Sequence, residues 1–195
     1  MNRALIVLDV QESFRQRPLW KLISNPEIAK PVGELAELAR DQGDLVAWIL
    51  HTEPGSGGPF DPASGHVRLM EGLVPQAGES VLAKTSHNAF TTTNLQQLLT
   101  SRGVRELTVC GIRTEQCCET TARLASDLGY EVTFVTEATA TNPIAHRDAP
   151  ATLTPEQILT DPRTLGTHEI IARTEYALAG RFATIRTVAE LTGTR

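Results

Sequence analysis

The sequence is sparing with cysteine and aromatic residues, has no excess of positive charge and contains no long apolar run. Each absence removes a class of protein. Three cysteines, an odd number, all fall between positions 110 and 118 without a CxxC pair. Neither a disulfide framework nor a zinc site is built that way, and the pattern suits a reducing cytoplasm. The net charge is -5 and the basic residues are dispersed, which argues against nucleic acid as a partner. No apolar stretch approaches the ~18 residues of a membrane span, and no signal segment is recognisable, so no membrane association is expected. The glycine-rich Gly55-Ser-Gly-Gly58 belongs to no phosphate-binding fingerprint, having neither GxGxxG spacing nor a terminal Gly-Lys-Ser/Thr.

What is present is ordinary for a globular chain: 195 residues, 41% hydrophobic and 21% charged. This predicts one domain over residues 1–195 with a full core. Arg3–Val10 is a continuous apolar run, the mark of a strand buried on both faces of a parallel sheet. It ends in Asp9, which either faces a ligand at the carboxyl edge of the sheet or caps the following turn. Pro31–Gln42 has leucine and alanine at helical spacing and stops at Gly43. Asp44–Leu50 reads as the second strand and leads into His51. Thr52–His66 reads as a long loop, and Ser80–Lys84 as a third strand ending in lysine. A helix is expected over Thr93–Arg102, a strand over Glu131–Thr136, a helix over Leu165–Leu178 and an edge strand over Phe182–Arg186. The alternation predicts an α/β fold with a mostly parallel sheet covered by helices on both faces.

The most informative stretch is Leu107-Thr-Val-Cys-Gly111-Ile-Arg-Thr114-Glu-Gln-Cys117-Cys118. It reads as a buried strand that breaks at Gly111 and restarts as a helix, running from about Glu115 to Leu128, with Thr114 as N-cap. Cys117 then lies in the first helical turn, where free N–H groups and the helix dipole favour an anion and would ease thiol ionisation. Asp9, Lys84 and Cys117 each stand at the same end of a strand. They converge if the strand order brings them together.

Three motifs in this order resemble those of the isochorismatase-like cysteine hydrolases, a family that includes nicotinamidases, N-carbamoylsarcosine amidase and ureidoacrylate amidohydrolases. They are Leu5-Ile-Val-Leu-Asp9-Val-Gln11-x-x-Phe14, Lys84-x-x-x-Asn88-Ala-Phe90 and Gly111-Ile-Arg-Thr114-x-x-Cys117-x-x-x-Thr121-Ala-Arg123. The resemblance implies a three-layer, six-stranded mostly parallel sheet with helices on both faces, an Asp9–Lys84–Cys117 catalytic triad and a cis peptide at Ile112–Arg113. It also implies association into dimers or tetramers and a small-molecule substrate. Asp9 would act as base and then acid, Lys84 would hold Asp9 and stabilise sulfur, and Cys117 would attack a carbonyl. The backbone N–H groups of Arg113 and Cys117 are the candidate oxyanion hole.

Gln11, Phe14, His51 and Phe90 are candidate substrate contacts, with ordinary core packing the competing reading for each phenylalanine. Cys118 is rotated about 100° from Cys117 on a helix and reads as packing, as does Cys110. His51-Thr-Glu53, Asp61 and His66 are metal-ligating residue types, but they lack the nicotinamidase Asp-x-His spacing, so neither a metal nor another cofactor is expected. The expectation is therefore a metal-independent cysteine amidohydrolase of a small amide or ureido compound. A cysteine redox protein using Cys117 and Cys118, or a doubly wound binding module with an idle site, is the alternative.

Overall fold

The computed structural model describes residues 2–193, so the first residue and the last two of the expected domain lie outside the described residues. In chain order the elements are β1 (Arg3–Leu8), α1 (Ala29–Asp41), β2 (Leu45–His51), β3 (Ser80–Lys84), α2 (Leu95–Ser101) and β4 (Glu106–Ile112). A π-helical turn (Thr114–Cys118) leads into α3 (Glu119–Asp127). Then follow β5 (Glu131–Ala140), α4 (Pro155–Thr160), α5 (Thr167–Leu178), β6 (Thr184–Ile185) and α6 (Val188–Thr192). The six strands lie in the order β3-β2-β1-β4-β5-β6, and every pairing is parallel.

The uninterrupted apolar run of β1 is explained by its central place. Successive side chains of a strand point to opposite faces, so a strand covered on both sides must be apolar throughout. Leu5 and Val7 join the core beneath α1, with Val32, Leu35, Ala36 and Ala39. Ala4, Ile6 and Leu8 join the core on the other face, with Leu95 and Leu99 of α2 and Ala122 and Ala125 of α3. The expected layers are thus present. Short elements without a strong period were not foreseen: the single-turn helices at Glu12–Gln16 and Pro18–Leu22, then α4 and α6.

The region around Gly111 differs from the expectation. The strand does not break there but runs on to Ile112, while β5 continues to Ala140 through a register shift between Val109 and Gly111. Gly111 has φ 131°, and a Cβ at this position would stand 2.0 Å from the Leu8 carbonyl oxygen. Glycine is required because β1 and β4 approach too closely for any side chain. This approach delivers the chain after Gly111 to the edge where β1 ends in Asp9. Gly111→Ala is expected to cost about 3 kcal/mol or more, because the obstacle is backbone that cannot rotate away. Urea denaturation measures this, and a midpoint equal to that of the wild type would contradict it.

Candidate active site

Asp9 follows the last residue of β1 and adopts φ 55°, a left-handed conformation uncommon outside glycine. Its N–H still donates to Ile49 O (2.8 Å), so the turn begins only after the ladder to β2 is complete. The side chain is fully buried. Lys84 ends β3, two strands away, with His51 of β2 directly between as its register partner. Strands two apart are separated by ~9.6 Å, so only a long side chain can cross from one end to the other. Lys84 does: its Nζ lies 2.8 Å from Asp9 Oδ2, and both side chains are wholly excluded from solvent. The same ammonium donates to Cys117 Sγ (3.4 Å) and to Ser86 O (3.1 Å), and lies 3.4 Å from His51 Nδ1.

Cys117 arrives from the opposite side of β1. The Ile112–Arg113 peptide is cis, and the Arg113 carbonyl accepts from the N–H groups of Gln116 (3.2 Å) and Cys118 (3.2 Å). The second of these bonds spans five residues and makes the turn π-helical rather than α-helical. Thr114 is not the expected N-cap. Arg113 takes that position without a side-chain cap, and the Thr114 hydroxyl donates instead to Thr139 Oγ1 (2.8 Å), tying the turn to β5. Buried Glu119 anchors the other end of the turn, accepting from Thr174 Oγ1 (2.8 Å) and from Arg123 and Arg173.

The electrostatics correct a second expectation. Burial raises the Asp9 pKa above its ordinary 3.8, and contacts with Lys84 and the Cys117 thiol offset this only in part. The Cys117 thiol is pushed up to about 12, first by burial and then by the negative charge of Asp9. The turn does not make a standing thiolate: loss of water outweighs helix-dipole and lysine stabilisation. At neutral pH the proton therefore rests on sulfur. Burial and the nearby Lys84 lower the His51 pKa, so the imidazole is neutral there.

The remaining candidates divide. Phe14 is buried against Phe60 in an edge contact (4.9 Å between ring centroids), and Phe60 also packs on His51 (5.7 Å). These rings form a wall next to Lys84. Gln11 is buried with its amide committed to protein: Nε2 donates to Ser13 Oγ (2.9 Å) and His51 O (3.0 Å), and Oε1 accepts from His51 N–H (2.7 Å). It clamps the ends of β1 and β2 together rather than facing a ligand. Phe90 is not at the site. It is buried in the core under α2 and α3, where it stacks on Tyr130 (6.1 Å between ring centroids), the residue before β5. Although it is close to Lys84 in sequence, its side chain is taken up by packing with Leu95, Leu99 and Ala122. Cys118 and Cys110 are fully buried, as expected of packing residues.

The Asp61 carboxylate accepts from the N–H groups of Gly57 (2.9 Å) and Ala63 (3.0 Å) and so organises its own loop. Among the described residues no three His, Cys, Asp or Glu side chains gather as a metal site, and no helix is long and apolar enough to cross a membrane. The side chains of Arg17 and Arg113 carry no distinctive spacing in the sequence, and only the structure draws them out.

Residues 3–156 match the family model described as the Isochorismatase domain. Nicotinamidase 3 of Arabidopsis thaliana is 46% identical over 148 residues, 71% of this chain and 73% of the relative. Ureidoacrylate amidohydrolase RutB of Enterobacter sp. (strain 638) is 40% identical over 172 residues, 71% of this chain and 75% of the relative. Among solved structures, an isochorismatase from Pseudomonas putida KT2440 superposes with a TM-score of 0.82 at 29% identity, covering 97% of this chain and 89% of the other.

Removing Lys84 should expose how much the site depends on it. In Lys84→Met the opposing cation is gone, so the Asp9 pKa rises further above 3.8. A native pKa raised above the unfolded one gives stability that is complete at low pH and is lost as pH rises through the native value. The variant should therefore be about 3–5 kcal/mol less stable than wild type at pH 7–8, with the deficit shrinking towards pH 4. Thermal melts across that range check this; a deficit independent of pH would contradict it.

Proposed function

The chain belongs to the isochorismatase family of hydrolases, and on that footing we propose that it is a cysteine-dependent amidohydrolase. Its substrate is a small amide or ureido compound, cleaved through a thioester intermediate. The observation that carries this reading is the meeting of Asp9, Lys84 and Cys117 from three separate strand ends within one buried cluster. Relatives named for amide hydrolysis, Nicotinamidase 3 and ureidoacrylate amidohydrolase RutB, support the class of reaction.

In the first step Cys117 Sγ bonds to the substrate carbonyl carbon while its proton passes to Asp9. With a thiol held up to about 12, the transfer accompanies attack rather than preceding it. The backbone N–H groups of Arg113 and Cys117 receive the oxyanion, each donor contributing about 3 kcal/mol. Asp9 returns the proton to nitrogen as the C–N bond breaks, leaving an acyl–sulfur bond and a free amine or ammonia. Water then adds with Asp9 again as base. The C–S bond breaks, and the proton held by Asp9 restores the thiol. Lys84 keeps Asp9 oriented and offsets negative charge on sulfur. No histidine is needed, and the neutral His51 beside Lys84 forms part of the wall.

Cys118 is not the nucleophile in this scheme: it is fully buried in the core beneath α2 and α3. The same location argues against a redox pair with Cys117.

Ammonia release from nicotinamide, ureido acids and carbamoyl amino acids, with and without chelator, tests the proposal. Cys117→Ala should lose on the order of 10⁴-fold or more in kcat, whereas Cys118→Ala should retain activity within a few fold. Activity surviving in Cys117→Ala would overturn the assignment. The pH profile is a separate check. Because burial raises Asp9, the acid limb of kcat/KM should fall above the ordinary carboxylate value of 3.8. No alkaline limb should appear near the ~8.5 of a free thiol. An acid limb at or below 3.8 would contradict Asp9 as the base.

A further inference from the structure

Two guanidinium groups that the catalytic scheme does not use lie on the segments flanking the Asp9–Lys84–Cys117 cluster, and the space between them is here called its mouth. Arg17 follows the helical turn Glu12–Gln16 and is exposed, with its Cζ 5.6 Å from the centre of the Phe60 ring. That ring is the one packed on Phe14 and His51, and His51 touches Lys84. Among the described residues no carboxylate pairs with Arg17. Arg113 comes from the other side, at the end of β4 and four positions before Cys117. Its acid contact is long, Nη1 to Glu115 Oε1 at 3.8 Å, and the other Glu115 oxygen is taken by the Thr141 hydroxyl at 2.6 Å.

Hydrogen bonds tie the two arginines' segments together: Thr141, which donates to Glu115, also donates its N–H to Ser24 Oγ (3.1 Å), and Asn142 donates to Leu19 O (2.6 Å), two residues after Arg17. The positive charge of Arg17 adds to burial in lowering the Arg113 pKa. Elsewhere on the molecule, Arg40 and Arg123 are closed off by short, multiply bonded carboxylates. Like charges brought together with donors unspent are a cost that an anion removes, and paired guanidinium groups match a carboxylate.

We propose that Arg17 and Arg113 are the recognition pair for a carboxylate on the substrate, so that the preferred substrates are small amides or ureido compounds that are themselves acids. This rests on the hydrolase reading above. The carboxylate is held at the mouth by the two guanidinium groups, the Phe14–Phe60 wall flanks the linker, and the amide carbonyl reaches Cys117. Neutral amides of equal size lose that anchor. Arg17 and Arg113 are in this respect specificity residues: the anchor holds substrate and transition state alike, so its loss appears in KM more than in kcat.

Two measurements test the pair. The first compares ammonia release from N-carbamoylglycine and its methyl ester. The wild type should favour the acid by about tenfold or more in kcat/KM, and Arg17→Gln should bring the ratio towards one, chiefly through KM. Arg113→Gln should lower the acid-to-ester ratio as well, whatever it does to kcat for both. The second needs no turnover. Cys117 is alkylated with iodoacetate and with iodoacetamide, which differ in charge and little in size, and the rate ratio is normalised to that of glutathione. The wild-type ratio should favour iodoacetate, and it should fall several-fold in Arg17→Gln, whose exposed side chain can be changed without disturbing the core.

A normalised ratio near one in the wild type, or one unmoved by Arg17→Gln, overturns the proposal even if amides are hydrolysed. A ratio that moves as expected while no amide is cleaved supports the anion site and refutes the hydrolase reading. Equal losses on acid and ester in Arg17→Gln would mean that Arg17 acts on the fold of the mouth instead.

Discussion

A fully buried ammonium–carboxylate contact, Lys84 to Asp9, spans the end of β2 and holds the carboxyl edge of the sheet in its working arrangement. Removing two charges from water costs several kcal/mol each, so the pair persists only where the surroundings repay part of that. Here they do so unevenly. Lys84 has further acceptors in Ser86 O and Cys117 Sγ, while neither Asp9 oxygen accepts a well-aligned hydrogen bond. The carboxylate is thus held near a cation with its pKa raised by burial, a condition that suits the base of the proposed mechanism.

The rest of the fold serves this contact. Gln11 locks the end of β1 to the end of β2, which fixes the span Lys84 has to bridge. Gly111 lets β4 press against β1, and the π-helical turn then lowers Cys117 towards the pair from the other side. Thr114 and Glu119 tie that turn to β5 and α5. The sulfur is thereby positioned by packing on all sides, and the same packing keeps it protonated. Position and desolvation come as one consequence of burial, and they act in opposite directions on a nucleophile. In the proposed mechanism Asp9 reconciles them by taking the proton as the sulfur attacks.

Much of this was legible in the residues. The unbroken apolar run before Asp9, the strand ending in Lys84 and the strand leading to Cys117 pointed to one edge of a parallel sheet, and the structure assembles them there. The misreadings share one origin. Phe90 shares a motif with Lys84 in the sequence, and of its two readings, substrate contact or core, the packing on Tyr130 favours core. Thr114 matched an N-cap by residue type, but a hydroxyl partner on β5 claimed it. Gly111 was read as a strand breaker because glycine usually is one, yet here it permits two backbones to touch. In each case a long-range contact overrode a local preference.

The amino-acid order alone determined the alternation of strands and helices, the two-faced burial of β1 and which acidic, basic and sulfur-bearing side chains sit at strand ends. Those properties follow from periodicity and local backbone geometry, which neighbouring residues set among themselves. Only the tertiary structure decided that Lys84 reaches Asp9 across an intervening strand, that Gln11 serves the backbone, and that the proton rests on Cys117. Strand order, close approach and the exclusion of water are created by segments far apart in the chain. A pKa responds to that assembled surrounding, not to the residues beside it in sequence.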